Sequence, residues 1–504
     1  MTNRRNFLRL LSIGTLGLSS FRNFEIFEIS KLNYNILLGK PTDKDIALSL
    51  LLKEDAEAFI EYGSDKTNLI FKTSPQSLQK FQPGEFVLTG LPTNQRCFYR
   101  VCYQRKKQDQ ITKETILSFY TKRTKSSDFV FTITADSHLG TLKHCDPALY
   151  QLTLNNVAKD KPDLHFSMGD DFRASRINAP DYTQIEQLYL DQREHLGTLC
   201  NQVPFFFILG NHEMEAKAFD DGTENCLAAW SARARRKFIP NPIPDSFYTG
   251  NQSSLKGEKA QNYFAFEWGD VLFLTLDVFR YSNISAEDEQ RREESKLVNE
   301  HLSKEEKLQL KELSKNQGDR KPRKDEWAFT LGSEQYNWLK ETLAKSKASH
   351  KFVFGHHVLG STRGGVEWAS LFEWGGKNRG GSNEFAVKRP GWELPIHGLF
   401  VKHKVTAFFQ GHDHLFARQE LDGIAYITCP MSGDPGYNTY NSDGFLSGDK
   451  LSNTGHLKIS VSAKDVQMRY IKAVLSKDEA VQGANGKVVY AYSFTEKKVL
   501  KEEF

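Results

Sequence analysis

The stretch Phe129-Val130-Phe131-Thr132-Ile133-Thr134-Ala135-Asp136-Ser137-His138 decides the fold. Its first six residues are apolar or β-branched and read as one buried strand. The strand gives way to Asp136-Ser137-His138, so polar side chains fall at its carboxyl end. Open α/β sheets bind ligands just past the carboxyl ends of their strands. The same pattern recurs along the chain. Leu164–Met168 runs into Gly169-Asp170-Asp171, and Val203–Leu209 into Gly210-Asn211-His212-Glu213. Lys351–Phe354 runs into Gly355-His356-His357, and Val405–Phe409 leads to Gly411-His412-Asp413-His414. Each ending supplies Asp, Asn or His, the donors that Mn, Fe and Zn accept. One such motif is weak. Five in order, each near a strand end, read together as a two-metal hydrolase centre.

The order DxH, GD, GNHE, GHH, GHDH resembles the calcineurin-like metallophosphoesterase superfamily, and most of all its purple acid phosphatase branch. The resemblance covers residues 129–430. It implies an α/β fold, a four-layer β-sandwich flanked by helices. It also implies two divalent or mixed-valence metal ions (Fe, Mn or Zn) that generate an attacking hydroxide. The implied roles carry over residue by residue. Asp136, His138 and His414 match ligands of the first metal, and Asp170 matches the carboxylate that bridges the two. Asn211, His356 and His412 match ligands of the second. His212 matches the histidine that faces the leaving group without binding metal.

The pattern departs from the purple enzymes at Arg173. They place a Tyr three residues after the bridging Asp, and its bond to iron gives their colour. Here Arg173 stands in that position, and His138, which the purple enzymes lack, is present. The implied centre is colourless, with His138 in place of the phenolate and the metal identity open.

Other residues beside the motifs read differently. His144, His165 and His350 read as surface or hydrogen-bonded histidines. Successive strand residues point to opposite sides, so one of His356 and His357 faces the metals; the family pattern selects His356. Asp171 reads as a support of the centre, an orienter of His212 or a turn residue, and Glu213 as structural.

The chain has 504 residues, enough for two or three domains. Hydrophobic content is 39%, charged content 26% and net charge +4, which lacks the basic excess of a nucleic-acid binder. Its 36 Phe favour packed β structure. Residues 30–125 carry short strands separated by turn signals, as in a small sandwich. Their Gly-Leu-Pro…Tyr-Arg-Val run resembles the fibronectin-like N-terminal domain of the purple acid phosphatases. The catalytic domain is expected over 128–475, with helices near Pro147–Asp160, Asp181–Leu199 and Ser333–Ser346. Residues 282–324 are densely charged and read as an inserted, solvent-exposed helix or helix pair. Leu359–Trp392 is Gly-rich and follows His356 directly. Its Arg363, Arg379 and Arg389 suit phosphate, and its Trp368 and Trp374 a flat organic group. Arg363 and Arg379 are the substrate-binding candidates. Residues 476–504 form a C-terminal extension, with Lys487–Phe494 expected to join Ile459–Val461 in one sheet.

The N-terminus, Met1-Thr2-Asn3-Arg4-Arg5-Asn6-Phe7-Leu8, reads as a twin-arginine signal over residues 1–28, followed by an apolar stretch too short to span a bilayer. It predicts use of the twin-arginine export machinery and a periplasmic or cell-surface location in a bacterium. Six scattered Cys exclude a zinc knuckle by spacing, and leave open one or two disulfides or buried thiols. The expected function is an exported phosphomonoesterase acting on a small phosphate ester, with no nucleic-acid partner and no membrane span beyond the signal. A phosphodiesterase with the same centre, or a non-catalytic surface-binding relative, are the alternatives.

Overall fold

Phe129–Thr134 forms the strand its composition demands, inside a seven-stranded sheet. In the computed structural model, residues 33–106, 108–174, 182–255, 258–282, 325–359 and 363–500 are described. The expected signal segment and, beyond Ser282, the charged insertion lie outside them. Leu164–Ser167 runs parallel to the first strand, with Phe131 opposite Leu164, and Phe205–Phe207 continues in parallel. On the other side Gly455–Val461 pairs antiparallel, with Phe131 opposite Ile459. Val466–Lys472, Val488–Ser493 and Lys498–Val499 complete the sheet. The C-terminal segment thus adds edge strands to the catalytic sheet, with Ile459 and the Lys487–Phe494 region in one sheet as expected.

A second, eight-stranded sheet carries the other two histidine motifs. Val271–Thr275, His350–Phe354, Ala407–Gln410 and Ile424–Thr428 are parallel neighbours in it. The two sheets pack face to face through phenylalanines. Phe166 stacks on Phe354 with ring centroids 4.7 Å apart, and Phe131 meets Phe273 edge-on at 5.0 Å. Each of these rings is fully buried, worth ~1.5–3 kcal/mol apiece in area removed from water. The Phe-rich composition is therefore the filling of the sandwich.

Helices cover both outer faces. Pro147–Lys159 starts behind Asp146, whose side chain accepts from the Ala148 and Leu149 amides, with Pro147 at the first helical position. It buries Leu149, Leu154 and Val157, and Tyr182–Cys200 buries Ile185, Tyr189 and Leu196 beside it. Gly332–Lys345 buries Tyr336, Leu339 and Leu343 against the second sheet. The result is the four-layer helix–sheet–sheet–helix architecture.

Ahead of it lies an all-β region with its own core of Ile36, Leu48, Ile60 and Val101. Its strands fall at Tyr34–Gly39, Ile46–Leu52, Ala56–Gly63, Gly84–Leu88 and Arg96–Arg105, with shorter ones between and after. Arg193, fully buried, pins it to the Tyr182–Cys200 helix by donating to Asn35 Oδ1 (3.1 Å), Ser49 Oγ (2.9 Å) and Ser49 O (3.0 Å). All six Cys are buried free thiols. No helix among the described residues is long and apolar enough to cross a membrane.

Candidate metal centre

The five motif loops meet at one edge of the sandwich, and their backbone is unusual. Asp136, His138, Asp170, His412 and His414 have φ of 49°, 45°, 55°, 71° and 60°. Left-handed backbone costs a non-glycine residue ~1–3 kcal/mol and clusters at functional sites. Asp and His tolerate it better than most residues do. Gly169 (φ 87°) supplies a further such turn, and a Cβ there would run into the Gly210 backbone. The Asp170 and Asn211 loops can therefore touch only because both positions are glycine.

The side chains converge in two groups. His138 Nε2 lies 2.9 Å from His414 Nε2, with Asp136 Oδ1 at 3.9 and 3.5 Å from the two nitrogens. In the second group His356 Nε2 is 3.2 Å from Asp170 Oδ2, and His412 Nδ1 is 3.0 Å from Asn211 Oδ1. Asp170 stands between the groups, with Oδ2 also 4.0 Å from His138 Nε2 and 3.7 Å from His212 Nε2. Asp136/His138/His414 and Asp170/His356/His412 each bring three potential ligand atoms within 4.8 Å of one another. All seven expected ligands, and His212 with them, are buried.

The donor chemistry fits metal ions. Burial holds His138, His412 and His414 well below the ordinary imidazole value, so each presents a neutral ring with a lone pair. His356 donates from Nδ1 to the Met168 carbonyl at 2.7 Å, which leaves Nε2 to face Asp170. Burial works against a charge there, yet Asp170 and Asp136 hold His356 up at about 10. The gap between that nitrogen and that oxygen favours a positive charge, which a metal ion would supply. His357 is turned away: Nδ1 donates to Val358 O at 2.7 Å, and its ring meets Phe279 edge-on at 5.0 Å.

Supports come from Glu213, read as structural, and from Asp171, whose role the sequence left open. Glu213 accepts the Gly210 (2.6 Å), Asp170 (3.0 Å) and Asp171 (2.9 Å) amides, tying two loops together. Asp171 accepts from the Ser167 (2.8 Å) and Ser137 (3.2 Å) hydroxyls, and burial raises it to about 6. It is a support of the loop, not a bare turn residue. His165 is buried between the Thr132 and Thr134 hydroxyls at 2.9 and 3.1 Å, away from the centre.

Over its described residues 363–392 the Gly-rich loop carries more regular structure than its composition suggests. Val366–Ala369, Phe372–Gly375 and Phe385–Lys388 are single helical turns. Trp374 packs on Phe408 in the core, and Arg389 pairs with buried Glu373, so neither is available to a ligand. Arg363 does reach the centre, donating to the His412 carbonyl at 3.3 Å and lying 4.0 Å from Asp413. Arg379 does not: it pairs with Glu326 at 2.8 Å and lies over Trp368, whose Nε1 donates to the Arg363 carbonyl. It stands one layer behind. Arg173, half-buried, acts electrostatically on His138. Tyr440 escaped the reading of motifs, and His144, read as a surface or hydrogen-bonded histidine, lies beside the centre. His144 and Tyr440 sit 5.4 and 5.9 Å, ring to ring, from His414. Only the proximity of His144 to Asp136-Ser137-His138 signalled either.

The calcineurin-like phosphoesterase family profile matches residues 129–416, more than half of the chain, and the protein belongs to that family. With its buried Asp–His centre it is a metal-dependent phosphoester hydrolase. The solved structure of PhoD is similar at a TM-score of 0.62 and 14% identity, covering 96% of this chain and 94% of that one. A purple acid phosphatase from yellow lupin (Lupinus luteus) seeds is similar at a TM-score of 0.55 and 15% identity, covering 91% and 73%. Both likenesses are of fold. No curated protein matches.

Proposed function

We propose that the protein is an exported phosphomonoesterase with a dinuclear centre. Asp136, His138, Asp170 and His414 would hold one ion, and Asp170, Asn211, His356 and His412 the other. The observation that supports the dinuclear part of the reading is the position of Asp170 between two groups of buried donors. When bound, the ions would lower the pKa of water at the centre and draw charge from the phosphoryl oxygens.

The chain's own residues supply the rest. Asp170 Oδ1 accepts the His212 amide at 2.8 Å, which fixes that residue beside the bridge. From there the His212 ring would hold a proton for the leaving oxygen. Arg173 and Arg363 add two positive charges near the donors. They favour the dianion of a monoester over the single charge of a diester. Arg4-Arg5 would direct the folded protein to the twin-arginine export machinery, and so to the periplasm or cell surface of a bacterium.

The test is hydrolysis of p-nitrophenyl phosphate against bis-p-nitrophenyl phosphate, with Mn, Fe and Zn restored separately. Faster turnover of the diester would make the protein a phosphodiesterase. No turnover with any metal would make it a non-catalytic relative. Export is tested by Arg4→Lys with Arg5→Lys, which should leave folded protein in the cytoplasm; unchanged export would point to the general secretion route.

A further inference from the structure

The centre has two walls of rings. On one side His356, His357 and His412 lie against one another and against Phe279, with His357 and His412 centroids 4.8 Å apart. These three histidines and Phe279 are buried. On the other side His138 and His414 meet edge-on at 4.8 Å. Beyond them stand His144 and Tyr440, the two half-exposed rings of the cluster. His144 lies 5.6 Å from His138, 5.4 Å from His414 and 5.6 Å from Tyr440. Tyr440 meets His414 at 83° and 5.9 Å. Among the described residues the cluster therefore runs from the buried donors out to solvent on the first-metal side.

His212 borders that same side, its ring 5.2 Å from His138. A leaving group protonated by His212 would lie next to His138, whose ring meets His144, and Tyr440 lies against both His144 and His414. We propose that His144 and Tyr440 form a ring-lined lip that selects phosphate esters whose leaving group is flat and unsaturated, an aryl or heteroaryl alcohol. The inference rests on the phosphomonoesterase reading above and names its substrate class.

The lip is built in advance. Asn438 Nδ2 donates to the Tyr440 hydroxyl at 2.9 Å, and buried Asp434 accepts the Asn438 amide at 2.8 Å. Asn441, itself at φ 51°, donates from Nδ2 to the Asp413 carbonyl at 3.0 Å, which ties the Tyr440 turn to the last motif. His144 is held in a turn in which its amide donates to Thr141 O at 2.8 Å. A flat group meeting these rings would do so with little ordering cost.

The test uses the metal-loaded protein and ligands that bind without turning over. Phenylphosphonate and ethylphosphonate are titrated calorimetrically, and phenyl phosphate and ethyl phosphate are assayed in parallel. Tyr440→Ala should weaken phenylphosphonate about 3–10-fold, the scale of one aromatic contact, and ethylphosphonate less than about twofold. KM should show the same split. Tyr440→Phe, which keeps the ring and loses the hydroxyl contact, should retain the wild-type ratio. His144→Ala should move the ratio in the same direction, and it carries the test if Tyr440→Ala fails to fold by its melting curve. Equal weakening of both phosphonates, or no change in either, overturns the lip. Wild-type protein that hydrolyses neither phosphate with any metal overturns the underlying reading instead.

Discussion

Removing the Glu213 carboxyl should loosen two motif loops at once. Its Oε2 accepts the Gly210 and Asp170 amides at 2.6 and 3.0 Å, and its Oε1 accepts the Asp171 amide at 2.9 Å. Burial, with the Asp170 and Asp171 carboxylates beside it, pushes Glu213 well above the usual carboxylate range. Each bond from a buried amide to this carboxyl is counted at ordinary hydrogen-bond strength. Glu213→Gln keeps the shape but turns an amide N–H toward at least one of the three donors, for a loss of ~2 kcal/mol. Glu213→Ala leaves three buried amides without this acceptor at ~1–3 kcal/mol each, so a loss of ~3–6 kcal/mol is expected after some relaxation. Asp170 is oriented through its own amide, so metal affinity should fall ~10–100-fold in either variant, the usual effect of losing a support behind a ligand. Urea unfolding of the metal-free proteins reads the first quantity, and titration against a chelator the second. A Glu213→Ala protein as stable as wild type, with unchanged metal affinity, would show that the loops stand without this brace.

Three further outcomes follow from the same geometry. Asp170→Ala should lose metal and activity together by elemental analysis and assay, and the wild-type protein, with Arg173 in the Tyr position, should show no visible charge-transfer band; a purple preparation would refute that assignment. His212→Ala should lower kcat ~10²–10⁴-fold with metals retained, and less so for nitrophenyl than for alkyl esters; an equal loss for both would remove His212 from the proton-donor role. His165, driven by burial from 6.5 to about 3, stays neutral in the fold while the unfolded chain takes up a proton below pH 6.5. Stability should thus fall as pH drops from 6.5 toward 3, by ~2 kcal/mol between 6.5 and 5 from this residue. His165→Gln should flatten that part of the urea-unfolding profile, and identical slopes for both proteins would sink the argument.

What was legible in the sequence was local. A buried strand and the ligand that follows it are neighbours along the chain, so Phe129–Thr134 and Asp136 announce each other, as do Leu164–Ser167 and Asp170. What was illegible depended on distant partners. Trp374 looked like a binding surface because nothing near it in sequence reveals Phe400 and Phe408, which enclose it. Arg389 looked like a phosphate contact because its placement against the Trp327 and Phe329 carbonyls comes from a segment far upstream. Tyr440 carried no signal at all, since its turn is brought to His414 by distant ties such as the Asn441 bond to Asp413.

The strained backbone explains why the centre requires the whole sandwich. Five of its residues hold left-handed φ values, together a cost of ~5–15 kcal/mol that no isolated loop would bear. What holds them are bonds that cross from one sheet to the other. Both Asp136 oxygens, at the end of a first-sheet strand, accept the amide of His412, which follows a second-sheet strand, at 3.1 and 2.9 Å. His356 from the second sheet donates to Met168 O of the first, and the Ser432 amide donates to Ala135 O at 3.0 Å. Each of these bonds needs both sheets in place. Asp136, His138, Asp170 and Asn211 follow strands of the first sheet and His356, His412 and His414 strands of the second, so the full set faces one point only with the two sheets packed.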